Sequence, residues 1–379
     1  MPTRSNTSSA RLIVGASDSN ADLLYATHFF VPDEMIWFEK ANKTYGVLSP
    51  LEIDRAKKEA HIDHLVPLDG YQKKLEKKWG RKAELHEILL AVLLNHNVRS
   101  VRVPESFPVY LADRLRKHGI RVAILSGLFF PERQIKRNDE IAGIIRGQRQ
   151  AEAGLARGIE VLRQSTIRRD GFLDWHGRRL TSEILRGEID SAVVKMGGLP
   201  ARTIVACGNQ GCDPHQTGYG PLHAHQSIIL DIFPRDQKTG YFGDLTRTVV
   251  KGRASEQLRA LRQTVYEGQR IGLCKVRPGA CGADIHQEIV SFFESKGYKT
   301  EKKNGRWIGF FHGTGHSLGL EIHEPPRFAA AVFREGHVTT IEPGLYYPGI
   351  GGVRLEDLVV VKQKGIRNLT KAGHLFEID

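Results

Sequence analysis

Between Arg11 and Leu125 short apolar runs alternate with stretches of helical period. Strand-like runs fall at Met35–Phe38, Tyr45–Leu48, Ser100–Val103 and Arg121–Leu125. Helical patterns begin after Ser49 and near Tyr71, and another covers Val109–His118. The alternation predicts a small α/β domain over residues 1–130. It stops around Phe129-Phe130-Pro131, and Asn138 or Asp139 can cap a long helix with an apolar stripe of Ile141, Ile144, Ile145, Leu155, Ile159 and Leu162. A second domain, 131–379, is expected to begin there.

The second domain reads as the same order twice. A helix over about Leu180–Met196 precedes strand-like segments near Thr203–Ala206 and Ser227–Phe233. Helices over Ser255–Val276, stopped by Pro278-Gly279, and over Ala283–Lys296 precede strands again. Each half therefore runs helix, helix, strands, and each ends in a hairpin bearing two acids. An internal duplication of structure follows, and it would let the two hairpins face each other with their acids converging.

With 379 residues the chain is long enough for two sizeable cores. Its 40% apolar and 26% charged residues exclude a disordered chain. The net charge of +12 is spread along the chain. The densest basic run, Lys73–Lys82, contains Glu76 and reads as a solvated helix face, so no nucleic-acid partner is expected. The first twenty residues lack an apolar leader core and no run of 18 apolar residues occurs, which disfavours secretion and a membrane span. Cys207, Cys212, Cys274 and Cys281 have neither framework nor CxxC spacing; they read as reduced packing residues of a cytoplasmic protein.

The first hairpin, IILDIFPRDQKTGYFGDLTRTVV, places Asp231 at the close of one strand and Asp244 before the next, across a turn at Thr239-Gly240. The second, TTIEPGLYYPGIGGVRLEDLVVV, carries Glu342 and Glu356. Taken singly, Asp231 and Asp244 fit turn residues, and Glu342 and Glu356 fit strand edges facing water. Between the hairpins, FFHGTGHSLGLEIHEPP brings His312, His316 and His323 within twelve positions among glycines. If these groups meet, Asp231, Asp244, Glu342 and Glu356 total −4, which two divalent cations neutralise. Oxygen ligands with one imidazole and no thiolate suit manganese, cobalt or zinc. Two such ions roughly 4 Å apart bridge a hydroxide, a nucleophile for an acyl carbon.

The order Asp, Asp, His, Glu, Glu in these five contexts resembles the pita-bread metallopeptidases, in their prolidase and aminopeptidase P branch. The likeness runs over essentially the whole chain, including an N-terminal creatinase-like α/β domain. It implies a dinuclear peptidase, manganese the leading metal, that cleaves Xaa-Pro bonds in a proline-containing peptide and forms a homodimer. It further implies that Asp231 chelates one metal, Asp244 and Glu356 bridge both, and His316 and Glu342 bind the second. Glu342 would also be the general base. His323 would steady the oxyanion, His215 would contact the scissile carbonyl, His312 would line the substrate site, and Arg354 would order the acid site and meet a substrate carboxylate. Other uses of the fold, an amidinohydrolase, a lyase or a non-catalytic binding module, are the competing expectations.

Two departures stand out. Phe233-Pro234 follows Asp231 where the family usually has glycine, and the first hairpin is two residues longer than usual. An even insertion preserves side-chain parity, so both aspartates are still expected on one face. Lesser candidates are His223 and His225 for a substrate role, Tyr219, Phe310 and Phe311 for an apolar slot, and Thr246-Arg247-Thr248 for support of the ligands.

Overall fold

The computed structural model describes residues 9–379. The first eight positions, on which part of the leader expectation rests, lie outside it. The chain divides into two compact units, 1–133 and 134–379.

The first unit is built on a six-stranded sheet. In chain order its elements are β1 (Ala10–Gly15), α1 (Ala21–Thr27), β2 (Met35–Lys40), β3 (Lys43–Leu48), α2 (Pro50–Glu59), β4 (His64–Pro67), α3 (Leu68–Trp79), α4 (Leu85–Asn95), β5 (Ser100–Pro104), α5 (Val109–Lys117) and β6 (Arg121–Leu125). The sheet order is β4-β3-β2-β1-β5-β6. Successive side chains of a strand point to opposite faces, and here both faces are covered. Leu12, Val14, Ile36 and Phe38 pack with Leu89, Val92, Leu111 and Leu115 from α4 and α5. The alternate residues Ile13, Met35 and Trp37 pack with Leu23 of α1, Ala56 of α2 and Phe129-Phe130. Double burial explains why the strands read as continuous apolar runs. It also hides α4 from periodicity, since LHEILLAVLLN carries no wide polar stripe.

In the second unit the expected order recurs. Helices α6 (Asn138–Gln164) and α7 (Ser182–Lys195) precede strands Ile204–Cys207, Ile228–Ile232 and Leu245–Lys251. Helices α8 (Glu256–Lys275) and α9 (Gly282–Ser295) precede strands His316–Ser317, Val338–Ile341 and Asp357–Val361. The start of α6 differs slightly from the expected Asn or Asp cap. Arg137 holds the cap position and its backbone N–H donates to the Glu140 carboxylate at 2.8 Å. Ser255 caps α8 by accepting from the Leu258 N–H.

Each half carries its own apolar core. Leu155, Leu162, Leu185, Ile189 and Val193 of α6 and α7 pack on Val205, Leu230 and Val249. Leu258, Leu261, Val265, Ile285 and Ile289 of α8 and α9 pack on Ile341, Val353 and Val359. Both hairpins carry extra pieces absent from the sequence reading. Arg235–Asp236 pairs with Gly198–Leu199, and Gly344–Tyr347 pairs with Gly351–Arg354. Among the described residues no helix is long and apolar enough to cross a membrane. All four cysteines are free; Cys207 and Cys212 are buried and Cys274 is exposed.

Candidate metal centre and active site

In the first hairpin Asp231 lies inside its strand, directly opposite Thr246. Asp244 is two residues before Thr246, so strand parity brings it to the same face. Asp231 and Asp244 both line one cavity of about 770 Å³, as parity across the longer hairpin requires. The position of Asp244 depends on a close approach. A Cβ on Gly147 of α6 would stand 2.5 Å from the Gly243 backbone nitrogen, so only glycine lets the helix lie against this segment. The next helix residue, Gln148, accepts the Asp244 N–H at 2.9 Å and anchors its own amide on Thr370.

The second hairpin meets the first through its backbone. The Glu356 N–H donates to Thr246 O, and Thr248 Oγ1 exchanges hydrogen bonds with the backbone of Arg354. Glu342 directly follows the strand Val338–Ile341, its N–H on Thr314 O, and Thr340 Oγ1 donates to its carboxylate at 3.1 Å. The same Thr340 hydroxyl accepts the His316 N–H, so one residue sets the places of both side chains.

Asp231, Asp244, His316, Glu342 and Glu356 consequently face a single cavity, together with His215, His312, His323 and Arg354. Phe233, Phe311, Ile204 and Ile322 form an apolar wall. One ligand atom each from Asp244, His316 and Glu356 lies within 4.8 Å of the others. His316 Nε2 is 3.3 Å from Asp244 and 3.5 Å from Glu342.

The electrostatics of this cluster call for cations. Burial, followed by the charges of Asp231 and Glu342, holds the Asp244 carboxyl well above the usual carboxylate range. Burial, then Asp244, Glu342 and Asp231, does the same to Glu356. Glu356 Oε2 accepts from Thr246 Oγ1 at 2.7 Å, whereas Oε1 is buried with no hydrogen-bond partner. A buried oxygen left unpaired costs about 1–3 kcal/mol. Oxygen donors and one imidazole, arranged around an unpartnered carboxylate oxygen, fit divalent metal.

Arg354 is the buried cation of the site. Its guanidinium donates to Asp231 at 2.6 Å, to Tyr346 Oη at 3.1 Å, and more distantly to Thr246 and Pro214 O. Tyr346 in turn meets His312 Nε2 at 2.8 Å, while His312 Nδ1 meets Gly313 O at 2.8 Å. Since a carbonyl only accepts, Nδ1 carries the proton and Nε2 accepts from Tyr346. Burial and the Arg354 charge lower His312 to about 3, consistent with a neutral ring fixed in that tautomer. Both ring nitrogens of His312 are thus engaged within the protein. Tyr346, fully buried in the relay, was missed by the sequence reading; its only signal is the Tyr pair that follows the Glu342 motif.

His323 is exposed and stands edge-on to His316 at 4.4 Å between ring centroids. Burial of part of the ring and the neighbouring His316 lower its pKa, favouring the neutral form. His215 sits exposed on the cavity rim, as do Arg202 and Asp213, neither of which the sequence singled out. Thr246, Arg247 and Thr248 form the supporting layer: Arg247 is buried and holds Asp357 at 2.7 Å and Glu356 O at 2.6 Å. Of the lesser candidates only Phe311 reaches the cavity. Phe310 packs in the core, Tyr219 is exposed, His223 stacks on Phe172 and His225 bonds to the backbone of Arg253.

Comparison with known proteins accords with this geometry. The sequence profile of Metallopeptidase family M24 matches residues 143–363. The Xaa-Pro dipeptidase of Pyrococcus furiosus is 34% identical over 186 residues, 47% of this chain and 51% of that protein. An uncharacterized peptidase, YqhT, of Bacillus subtilis is 36% identical over 170 residues, 44% of this chain and 46% of that protein. The chain thus spans about half the length of these curated relatives. Among solved structures, an X-Pro aminopeptidase from Thermotoga maritima superposes with a TM-score of 0.82 at 21% identity, covering 98% of this chain and 97% of that one. The prolidase from Pyrococcus furiosus gives 0.76 at 21% identity, with 96% of each chain covered. The expected pita-bread fold is therefore the observed one, and with a profile match over more than half of its residues this chain belongs to metallopeptidase family M24.

Proposed function

We propose that the chain is a dinuclear metal-dependent peptidase that hydrolyses Xaa-Pro bonds. One observation carries the reading: four carboxylates and His316 converge on a single cavity with an apolar wall, in a family M24 chain related to Xaa-Pro dipeptidases. Asp231, Asp244, His316, Glu342 and Glu356 would hold two divalent ions, manganese first among them. When bound, such a pair supplies Lewis acidity and lowers the pKa of water to give a nucleophile at neutral pH.

The protein's own groups do the rest. Glu342, held by Thr340, accepts the proton of the attacking water and passes it to the leaving prolyl nitrogen. Neutral His323 and the rim residue His215 donate to the carbonyl oxygen as it becomes negative. Arg354 donates to Asp231 and orients it, and through Tyr346 fixes the His312 ring as part of the wall. Proline lacks an N–H and has a fixed φ, so a slot walled by Phe233, Phe311 and Ile322 suits its ring. In the same reading residues 1–130 are a creatinase-like domain, the protein is a cytoplasmic homodimer, and nucleic acid is not a partner.

The test is hydrolysis of Ala-Pro, Ala-Pro-Ala and Ala-Ala by metal-stripped protein before and after manganese is restored. Manganese-dependent cleavage confined to the proline peptides, with kcat reduced about 10²–10⁴-fold in Glu342→Gln, is expected. The ratio of dipeptide to tripeptide turnover separates a prolidase from an aminopeptidase P. Silence on all three peptides with two metals bound would move the substrate outside the prolyl peptides.

A further inference from the structure

The proposed reaction uses neither Lys136 nor Glu324, yet they form the most buried lysine–carboxylate pair among the described residues. Lys136 Nζ lies 2.8 Å from Glu324 Oε2, with side chains 2% and 1% exposed. Replacing such a pair by apolar side chains of similar volume is often neutral or stabilising. Stability alone is therefore a weak reason for these residues, and their surroundings point elsewhere.

Glu324 ends a tight loop that begins at His316, and its Oε1 accepts the Glu321 N–H inside that loop at 3.1 Å. Its carboxylate lies against the loop backbone: a Cβ on Gly319 would meet the two oxygens at 2.7 and 2.9 Å and Lys136 Cε at 2.9 Å. Gly319 closes the loop by donating to Glu321 O, and its own carbonyl accepts the Phe242 N–H at 2.8 Å, two residues before Asp244. Lys136 is itself held, its N–H donating to Gly336 O. Beside the pair, Tyr241 Oη donates to the buried Glu140 of α6 at 2.9 Å. The loop that carries His316 and His323 and the segment that carries Asp244 are thus both tied to residues 136–140.

We propose that Lys136 and Glu324 form an internal charged strut that positions the His316–His323 loop, making Lys136 a positioning residue for the site. The proposal rests on the peptidase reading for its catalytic consequence, while its structural consequence is independent of it. Lys136 neutralises a carboxylate whose other oxygen grips the loop. Without the ammonium 2.8 Å from its Oε2, the carboxylate is held less firmly against the loop, and the grip of Oε1 on the Glu321 N–H loosens.

Two double variants separate positioning from stability. Lys136→Met with Glu324→Leu removes both charges and the acceptor; Lys136→Met with Glu324→Gln removes the charges but keeps an amide oxygen for the Glu321 N–H. Manganese-loaded protein is assayed on Ala-Pro, and metal-free protein is followed by hydrogen exchange of the 317–323 amides. The leucine variant is expected to remain folded with kcat down at least about 10-fold, as for groups that orient ligands, and KM within about 2-fold. Exchange in the loop should accelerate, and both properties should recover in the glutamine variant, which needs no counter-charge, but not in Lys136→Met alone; parent-like loop exchange in Lys136→Met, or no recovery in the glutamine variant, overturns the role given to Lys136. Unchanged loop exchange in the leucine variant overturns the proposal, as does an unchanged kcat where the unaltered protein cleaves Ala-Pro. If the unaltered protein cleaves no prolyl peptide, the peptidase reading falls and hydrogen exchange alone decides the strut.

Discussion

Two glycine-to-alanine changes, chemically identical and both inside helices, should have opposite signs. Alanine is favoured over glycine in a helix interior by about 0.8–1.0 kcal/mol. At Gly187 of α7 a new Cβ meets nothing within 4 Å, so Gly187→Ala should stabilise by about 0.5–1 kcal/mol. At Gly147 of α6 the same atom would lie 2.5 Å from the Gly243 nitrogen, 2.8 Å from Phe242 C and 3.2 Å from Gly243 Cα. Reaching an ordinary contact of about 3.5 Å requires about 1 Å of separation. The opposing segment cannot give easily. Phe242, Gly243 and Asp244 donate their N–H groups to Gly319 O, Pro234 O and Gln148 Oε1 at 2.8, 3.0 and 2.9 Å. Overpacking of this kind costs about 1–3 kcal/mol, more than the propensity gain. Because the propensity gain is common to both, the two variants should differ by the overpacking cost, roughly 1–3 kcal/mol, in urea unfolding of metal-free protein, read as a midpoint shift at constant m. Gly147→Ala should also lose activity on Ala-Pro, by up to about 10²-fold for a 1 Å displacement near Asp244. A Gly147→Ala protein as stable and as active as the parent would refute the idea that this approach places Asp244.

Further outcomes follow from the same geometry. Thr246→Val removes the hydroxyl from Glu356 Oε2; manganese affinity by calorimetry should weaken about 10–100-fold with the fold retained, and an unchanged affinity would show that the hydroxyl does not orient the carboxylate. Chelation should lower thermal stability, because the clustered acids lose their counter-charges. Metal at about 100 times Kd adds about 2.7 kcal/mol, worth roughly 5–10 °C for a unit of this size, and scanning calorimetry with and without chelator reads the difference. Burial pushes Cys207 up to about 11 and Cys212 up to about 12, whereas Cys274 is exposed. A thiol reagent at pH 8 should therefore label Cys274 in the native protein, and Cys207 and Cys212 only after denaturation; rapid native labelling of either would contradict their burial.

The sequence by itself determined the class of fold and the identity of the chemical groups. Runs such as IILDI and TTIEP are apolar enough to require burial, and an acid in such a run requires a partner. Parity along each strand, with an even number of residues added at the turn, then brings Asp231 and Asp244 to one face. Other elements are less legible in one dimension. The helix Leu85–Asn95 is covered so fully that it lacks the polar stripe that periodicity detects.

Only tertiary structure decided how the groups meet. Gly147 and Gly243 are ordinary glycines in the sequence, and their contact joins residues 96 positions apart. The relay from Arg354 through Tyr346 to His312 engages ring nitrogens that the sequence leaves open to a substrate. Lys136 and Glu324, 188 residues apart, become partners only because the fold buries both at one place. The physical reason is common to all three. Apolar pattern and strand parity act over a few residues and can be read along the chain, whereas close approach, hydrogen-bond exchange and charge neutralisation depend on distances that folding alone creates.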